Sequence, residues 1–336
     1  MINFNYNYGL TIKFIAIPLI IIITTIFAYS QWYNFILKKV NIELSTLKKN
    51  LITKNIDLSW NKINTKGFPF RIEIELENIY LSHLHYNAHA KNITIVQHPW
   101  NLNHIILISN QVKASIKDKN NIIDIHLIES SKVSFKKRNQ GVRISIVAKN
   151  TIFKSNFKEE RTNNNYYRVN NYEIHFFNHY SNKDALLATK FYNITLPKNH
   201  FFNDSINSIL LDTTIIDFKN IDYNDISQWL QTSGGLDINN IEIDSNKLSI
   251  KGAGYLSFDK NLYPLGTFVL NYNGLSNVIN NIEKNEVLSK TLIKALYVAA
   301  KASESLAAFK QELPQMSLML QEGYLYIFGI KILKIF

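Results

Sequence analysis

Arg71-Ile72-Glu73-Ile74-Glu75-Leu76-Glu77 alternates strictly between apolar and charged residues. A period of two puts successive side chains on opposite faces of an extended chain, so this stretch reads as a β-strand with one dry and one wet face. Three glutamates on one face have the look of paired carboxylates for acid–base work. Alternating Glu is also what a solvated face consists of, and that plainer reading is preferred. The same period recurs at residues 93–96, 104–108, 122–128, 132–135, 142–147 and 151–157, then at 166–177, 186–196, 209–218, 236–243, 247–258, 265–272 and 324–332. The connections are short and rich in Asn, Lys, Asp and Gly, as hairpins prefer. Nothing alternates strand with helix as a parallel sheet requires. The expected fold class is mainly β (α+β), a long curved antiparallel meander sheet.

Two helices interrupt the series. Residues 224–232 contain Trp229 and end at Gly234-Gly235, a glycine C-cap. Residues 285–311 carry Leu288, Leu292, Ala295, Leu296, Ala299, Ala302, Leu306 and Phe309 at helical spacing, with Pro314 beyond the end. This amphipathic C-terminal helix is expected to pack on the sheet. At 1.5 Å per residue it is about 39 Å long, which spans about eight strands at 4.8 Å separation, against about fourteen in the pattern. The remaining apolar face must be hidden by curling of the sheet, by a second sheet or by a bound apolar ligand.

Residues 14–29 read FIAIPLIIIITTIFAY, with no acidic, basic or amide residue. A spanning helix needs about 20 mostly apolar residues. Leu10 and Ile12 extend the run, Lys13 is long enough to snorkel, and Trp32, Tyr33 and Phe35 fall where an aromatic belt lies. Ala28-Tyr29-Ser30 offers the competing reading of a signal-peptide cleavage site. Against cleavage, Tyr33, Ile36, Leu37, Val40, Leu44, Leu47 and Leu51 continue at helical spacing past Ser30. The chain therefore divides into residues 1–55, a transmembrane anchor (about 10–31) with a stalk helix, and residues 56–336, a β-rich domain. Lys38, Lys39, Lys48 and Lys49 follow the span and only Lys13 precedes it, which by the positive-inside count favours a cytoplasmic domain.

Of the 336 residues, 46% are hydrophobic and 12% aromatic, which supports a packed core and excludes a disordered chain. A net charge of +11 attracts anionic surfaces, and beside a membrane span lipid is a better partner than nucleic acid. The absence of cysteine suits an oxidising compartment.

Chemistry-bearing patterns are weak. His83, His85, His89, His98 and His104 cluster in sequence, but no carboxylate or cysteine stands at ligand spacing, so no metal is expected. Gly252-Ala253-Gly254 lies within a strand pattern and not before a helix, so it marks a bulge or a close backbone approach, not a phosphate loop. Asn92-Ile93-Thr94 and Asn193-Ile194-Thr195 match glycosylation sequons, which an Asn-rich chain produces by chance. No catalytic residue and no cofactor is assigned, and the chain is not expected to be an enzyme.

The most specific local pattern is Trp60 followed by Gly67-Phe68-Pro69-Phe70-Arg71, a turn whose geometry is set by Gly and Pro. Ala90 to Val96, Pro99-Trp100 and His104 follow, then Trp229 with Gly234-Gly235-Leu236, Gly252 to Leu256 with Gly254 inside it, Pro264 to Gly266 and Gly323 to Gly329. In this order the patterns resemble the alphaproteobacterial domain of unknown function family numbered 2125, over essentially the whole chain. The closing Ile327-Phe328-Gly329-Ile330 departs mildly from the family pattern. The family has no established activity. It looks distantly like the AsmA-type envelope proteins, which present a β-rich domain on the periplasmic side of an N-terminal anchor. The resemblance implies a single-pass protein of the bacterial inner membrane with a periplasmic domain, occupied with lipid binding or envelope maintenance. The alternative is a structural or assembly factor with a closed sheet that acts through envelope proteins. A tethered enzyme is a distant third.

Overall fold

The computed structural model describes residues 8–118, 121–127, 129–156, 166–197, 205–221, 226–232, 234–282 and 289–335. Helix α1, Tyr8–Ile52, is one continuous helix of 45 residues, so span and stalk are a single element. It is long and apolar enough to cross a membrane. Strands β1 (Asp57–Ser59), β2 (Lys62–Lys66), β3 (Ile72–Ser82), β4 (Tyr86–His98), β5 (Asn101–Asp118), β6 (Asn121–Leu127), β7 (Ser130–Arg138), β8 (Gly141–Asn156), β9 (Tyr166–His179) and β10 (Ala185–Thr195) follow. Then come β11 (Ser205–Ile216), α2 (Ile226–Thr232), β12 (Gly235–Ser245), β13 (Ser249–Phe258), β14 (Pro264–Asn273), α3 (Leu275–Ile282), α4 (Lys290–Lys310), β15 (Gln315–Gln321), β16 (Tyr324–Ile327) and β17 (Ile330–Lys334).

All seventeen strands belong to one sheet. Every pairing among the described residues is antiparallel, and from β8 onward each strand pairs with its sequence neighbours. β1 and β2 lie end to end along β3, and β6 and β7 lie end to end between β5 and β8. The long antiparallel meander read from the period-two pattern is the architecture found.

Residues directly opposite in a ladder share a face, so the registers trace one face across the whole sheet. Starting from Ile72, Ile74 and Leu76, it passes through Ile95 and Ile93, Ile105 and Leu107, Phe135 and Val133, and Ile144 and Ile146. It continues through Phe176 and Ile174, Leu187, Thr213 and Leu211, Ile238 and Ile241, and on to Leu270, Met316 and Ile327. Among the described side chains from β3 to β16, Lys137 at the end of β7 is the charged residue that registers to this inner face. The opposite face carries Glu73, Glu75 and Glu77. Lys66 and Arg71 approach Glu75 and Glu73 at 3.0 and 2.6 Å, as a wet face allows.

The helices cover the two ends of the inner face. Tyr33 and Ile36 of α1 are buried against Ile72, Ile74, Leu76, Ile79 and Ala90, with Leu37, Val40, Leu44 and Trp60 around them. At the far end Ile293, Leu296 and Ala300 of α4 bury against Ile279 of α3 and against Ile327, Ile330 and Ile332. Between them, Val169, Ile194 and Ile206 cluster with Phe153, Tyr172, Phe191, Ile209 and Ile243, all of them sheet residues.

A second regularity crosses the strands. Inward residues step by two along each strand, but at one aligned position they step by three: Leu76 to Ile79, Ala90 to Ile93, Ser109 to Val112, Ala148 to Thr151, Val169 to Tyr172, Phe191 to Ile194 and Ile206 to Ile209. In alternate strand positions the step is made by a residue of positive φ: Asn78, Gln111, Asn150 and Asn193, at 50°, 54°, 49° and 52°. A single left-handed residue turns an extended chain, and Asn takes that conformation at lower cost than most residues. Aligned from β3 to β11, with β6 and β7 sharing one position, the turns form a crease. It runs about 34 Å at 4.8 Å per strand. Leu76, Ile79, Ala90, Ala148, Thr151, Val169, Ile194 and Ile206 border it and are all buried. Replacing Asn150 with Val should cost about 1–2 kcal/mol, because a β-branched side chain pays the full left-handed penalty, whereas Asn150→Gly should be close to neutral. Thermal unfolding of the two variants checks this. Equal melting temperatures would remove the conformational argument.

The structure corrects several sequence expectations. β1, β2, β15 and α3 were not foreseen, and the runs expected at 142–147 and 151–157 fall in one strand, β8, which ends at Asn156; residue 157 lies outside the described residues. The strand expected at 324–332 is a hairpin, β16 and β17. The C-terminal helix begins at Lys290, where Ser289 Oγ accepts a hydrogen bond from Leu292 N at 3.3 Å; residues 285–288 lie outside the described residues. Its buried face is Ile293, Leu296, Ala300 and Ala307, and of the expected stripe Leu306 and Phe309 point to solvent, Phe309 87% exposed. Small residues on the buried side allow close approach. Tyr272 donates to Ala300 O at 3.1 Å, and Ser276 Oγ donates to Glu304 at 3.1 Å.

Candidate functional site

The inner face between the two helical ends is incompletely packed. Along the crease eight of the fourteen bordering side chains are buried and the other six half-buried, and away from it most inward residues of β5 to β12 are only half-buried. Leu107 and Phe135, on adjacent strands, point inward and are 36% and 40% exposed, and Ile116, farther along β5 beyond the crease, is exposed too. The result is an apolar trough, most buried along its floor and partly open on its walls. Residues of this chemistry attract apolar chains.

A second surface forms where α1 enters the domain. Residues 17–28 of α1 are exposed and stand clear of the sheet. The first contact is Tyr29, whose hydroxyl donates to Pro69 O, followed by Tyr33, which donates to Lys66 O and Arg71 O at 3.2 Å each. Phe68 packs its ring edge-on to Tyr33, with centroids 5.0 Å apart. Gly67 has φ of 101°, and an added Cβ would lie 2.4 Å from Arg71 O, so this turn requires glycine. The next turn at this end, Pro99-Trp100, is joined to the first by His98: its ring lies 3.4 Å from Phe70 O and stacks on Trp100 at 5.3 Å. Two motifs about thirty residues apart thus form one group, with Trp32, Phe35, Phe68, Phe70 and Trp100 all exposed.

These motif-bearing turns lie in the segments that a protein-family model recognises. Residues 54–151 and 199–335 match DUF2125, described as an uncharacterized protein conserved in bacteria. The chain belongs to this family. No curated protein and no solved structure matches it. Within the family domain the remaining motif residues serve packing. Trp60 closes the α1 interface, with Lys48 Nζ 5.2 Å from its ring centroid. Trp229 is buried, donates from Nε1 to Ile216 O at 3.1 Å and accepts at its own carbonyl from Gly234 N at 2.7 Å. Gly235 faces Tyr255, and Gly252 and Gly254 lie under Leu270 and Phe268, where an added Cβ would come within 2.8 and 2.3 Å of side-chain carbon. The close backbone approach expected at Gly252-Ala253-Gly254 is therefore found. It brings these residues to neither the trough opening nor the turn group.

The histidines disperse. His83 and His85 sit in the β3–β4 turn with ring centroids 5.7 Å apart, and His83 stacks on Tyr86. His104 faces outward and meets Ser134 Oγ at 2.9 Å, its pKa held below the ordinary histidine value by burial and by Lys136. The sequence reading missed the crease, the open walls of the trough and the joining of the two aromatic turns.

Proposed function

We propose that the protein is a membrane-anchored envelope component that holds acyl chains of lipid in the trough of its sheet. One observation carries this reading: among the described residues an inner face with one charged side chain, Lys137 at the end of β7, runs across the sheet, and its middle strands have neither a described helix over them nor complete burial. An apolar surface of that extent is ordinarily covered or occupied. The domain is placed on the periplasmic side of a bacterial inner membrane. That placement follows the expectation of an AsmA-type arrangement and is supported by the lack of cysteine, while the lysines that follow the span oppose it. No catalytic residue is assigned. Native mass spectrometry of the intact protein released from detergent should show adducts at phospholipid mass, and a bare protein under conditions that preserve the fold would overturn the proposal. A second reading, an assembly factor working through an envelope protein, is favoured by the outer stripe of α4, where Val298, Leu306 and Phe309 are exposed. It becomes the preferred one if no lipid is bound.

A further inference from the structure

We propose that the turns Gly67–Arg71 and Pro99–Trp100 form an aromatic collar that rests in the headgroup layer of the bilayer crossed by α1. The inference depends on α1 spanning the membrane and not on lipid occupying the trough. The helix that precedes the first sheet contact, Tyr8 to Ala28, has 21 residues within α1, about 31 Å at 1.5 Å per residue, which equals the thickness of a hydrocarbon core. If that length is the span, Tyr29 marks the interface. The collar is set at that level by the Tyr29 hydrogen bond to Pro69 and by the Tyr29–Phe68 ring contact of 6.1 Å.

The chemistry of the collar matches that layer. Phe70 is 72% exposed and Trp100 64%, although both sit beside well-packed turns with Pro99 fully buried. Large aromatic rings left in water at the tips of tight turns are costly, and rings of this kind concentrate at membrane–water boundaries. Trp32 and Phe35 extend the ring around α1, stacked with centroids 6.0 Å apart. Lys38 and Lys39 follow one to two turns later, exposed, on the side of the aromatic residues away from the span. The surface is thus continuous with the span, aromatic at its edge and cationic above it. Its partner is the same bilayer. The collar would hold the sheet at a fixed height and prevent it from swinging on the stalk.

The chain has no cysteine, so a single one can be introduced and labelled with an environment-sensitive dye. Phe70→Cys places the label in the collar. Leu84→Cys places it in the β3–β4 turn, exposed at the opposite end of an 11-residue strand about 36 Å long. The full chain is reconstituted in nanodiscs of phosphatidylcholine and phosphatidylglycerol, with lipids brominated near the carbonyl or near the chain end. The label at 70 should shift to the blue and lose more than half its emission to the shallow bromines, less to the deep ones, while the label at 84 stays unquenched. Equal quenching at both sites would mean that the domain lies flat, and no quenching at either that it stands clear of the bilayer; either result overturns the proposal. Lipid adducts measured on the same samples report the trough separately, so each idea can fail without the other.

Discussion

Ile36→Asp should separate the stalk from the sheet. Ile36 is 1% exposed and packs with Ile72, Ile74 and Leu76 of β3. The buried residues around it are aliphatic apart from Tyr33, whose hydroxyl already donates to backbone carbonyls, and an unpaired buried charge belongs to the few classes of substitution that cost more than about 4 kcal/mol. α1 itself should stay helical, because its span is independent of the domain and its backbone hydrogen bonds are internal. The expected result is selective: protease cleavage in residues 53–61, between α1 and β2, and a melting temperature lower by about 8 °C or more. Ile36→Val, which removes one methylene, should cost only about 0.5–1.5 kcal/mol. If the Asp variant melts with the wild type, the stalk is not part of the core.

The same cluster shows why so much of the fold was legible. The stripe Tyr33, Ile36, Leu37, Val40 and Leu44 and the alternation at Ile72, Ile74 and Leu76 are both simple periods, and each element buries the face its period marks. Legibility stopped where the period broke. The slip at Asn150 made β8 look like two strands, and the slip at Lys91-Asn92 hid the first half of β4, which begins at Tyr86. A residue of positive φ turns the chain without ending the ladder, so pairing persists while the alternation changes phase. The signal was present: an apolar alternation that skips one residue at Asn, as in Leu76-Glu77-Asn78-Ile79 and Ala148-Lys149-Asn150-Thr151. The two apparent sequons at Asn92 and Asn193 fall on this same line. The crease accounts for Asn193 by conformation alone, since its φ is 52°.

In α4 the difficulty was of another kind. The helix has apolar residues on two sides, and composition favoured the larger ones, Leu306 and Phe309. Packing chose Ile293, Leu296, Ala300 and Ala307, because small residues bring the helix close enough for Tyr272 to reach Ala300 O. Nor could sequence bring Phe70 and Trp100 together. They are joined by the hairpin geometry of β3 and β4 and by His98, a residue that had looked like a member of a histidine cluster.

Leu107→Glu should abolish lipid occupancy while leaving the protein folded. Leu107 faces inward on β5, near Phe135 and Val133, and is partly open to solvent. In an empty trough the carboxylate remains hydrated through that opening, so the loss of stability should be about 1–2 kcal/mol, the range of an ordinary substitution. An acyl chain lying on the site would strip that water away. Transfer of an unpaired carboxylate to an apolar surface costs several kcal/mol, and each 1.4 kcal/mol is a tenfold change in affinity. Lipid adducts should therefore fall by more than tenfold in native mass spectra. Ile108→Glu is the matched control. Ile108 is the next residue on the same strand, similarly exposed, but it faces outward opposite Lys132. It should melt close to the Leu107 variant and keep its lipid. If both variants lose lipid equally, occupancy depends on stability and not on the trough. If both retain it, the acyl chains lie elsewhere. Loss from the inward variant alone would place them on the inner face of β5, where Leu107 is partly open to solvent.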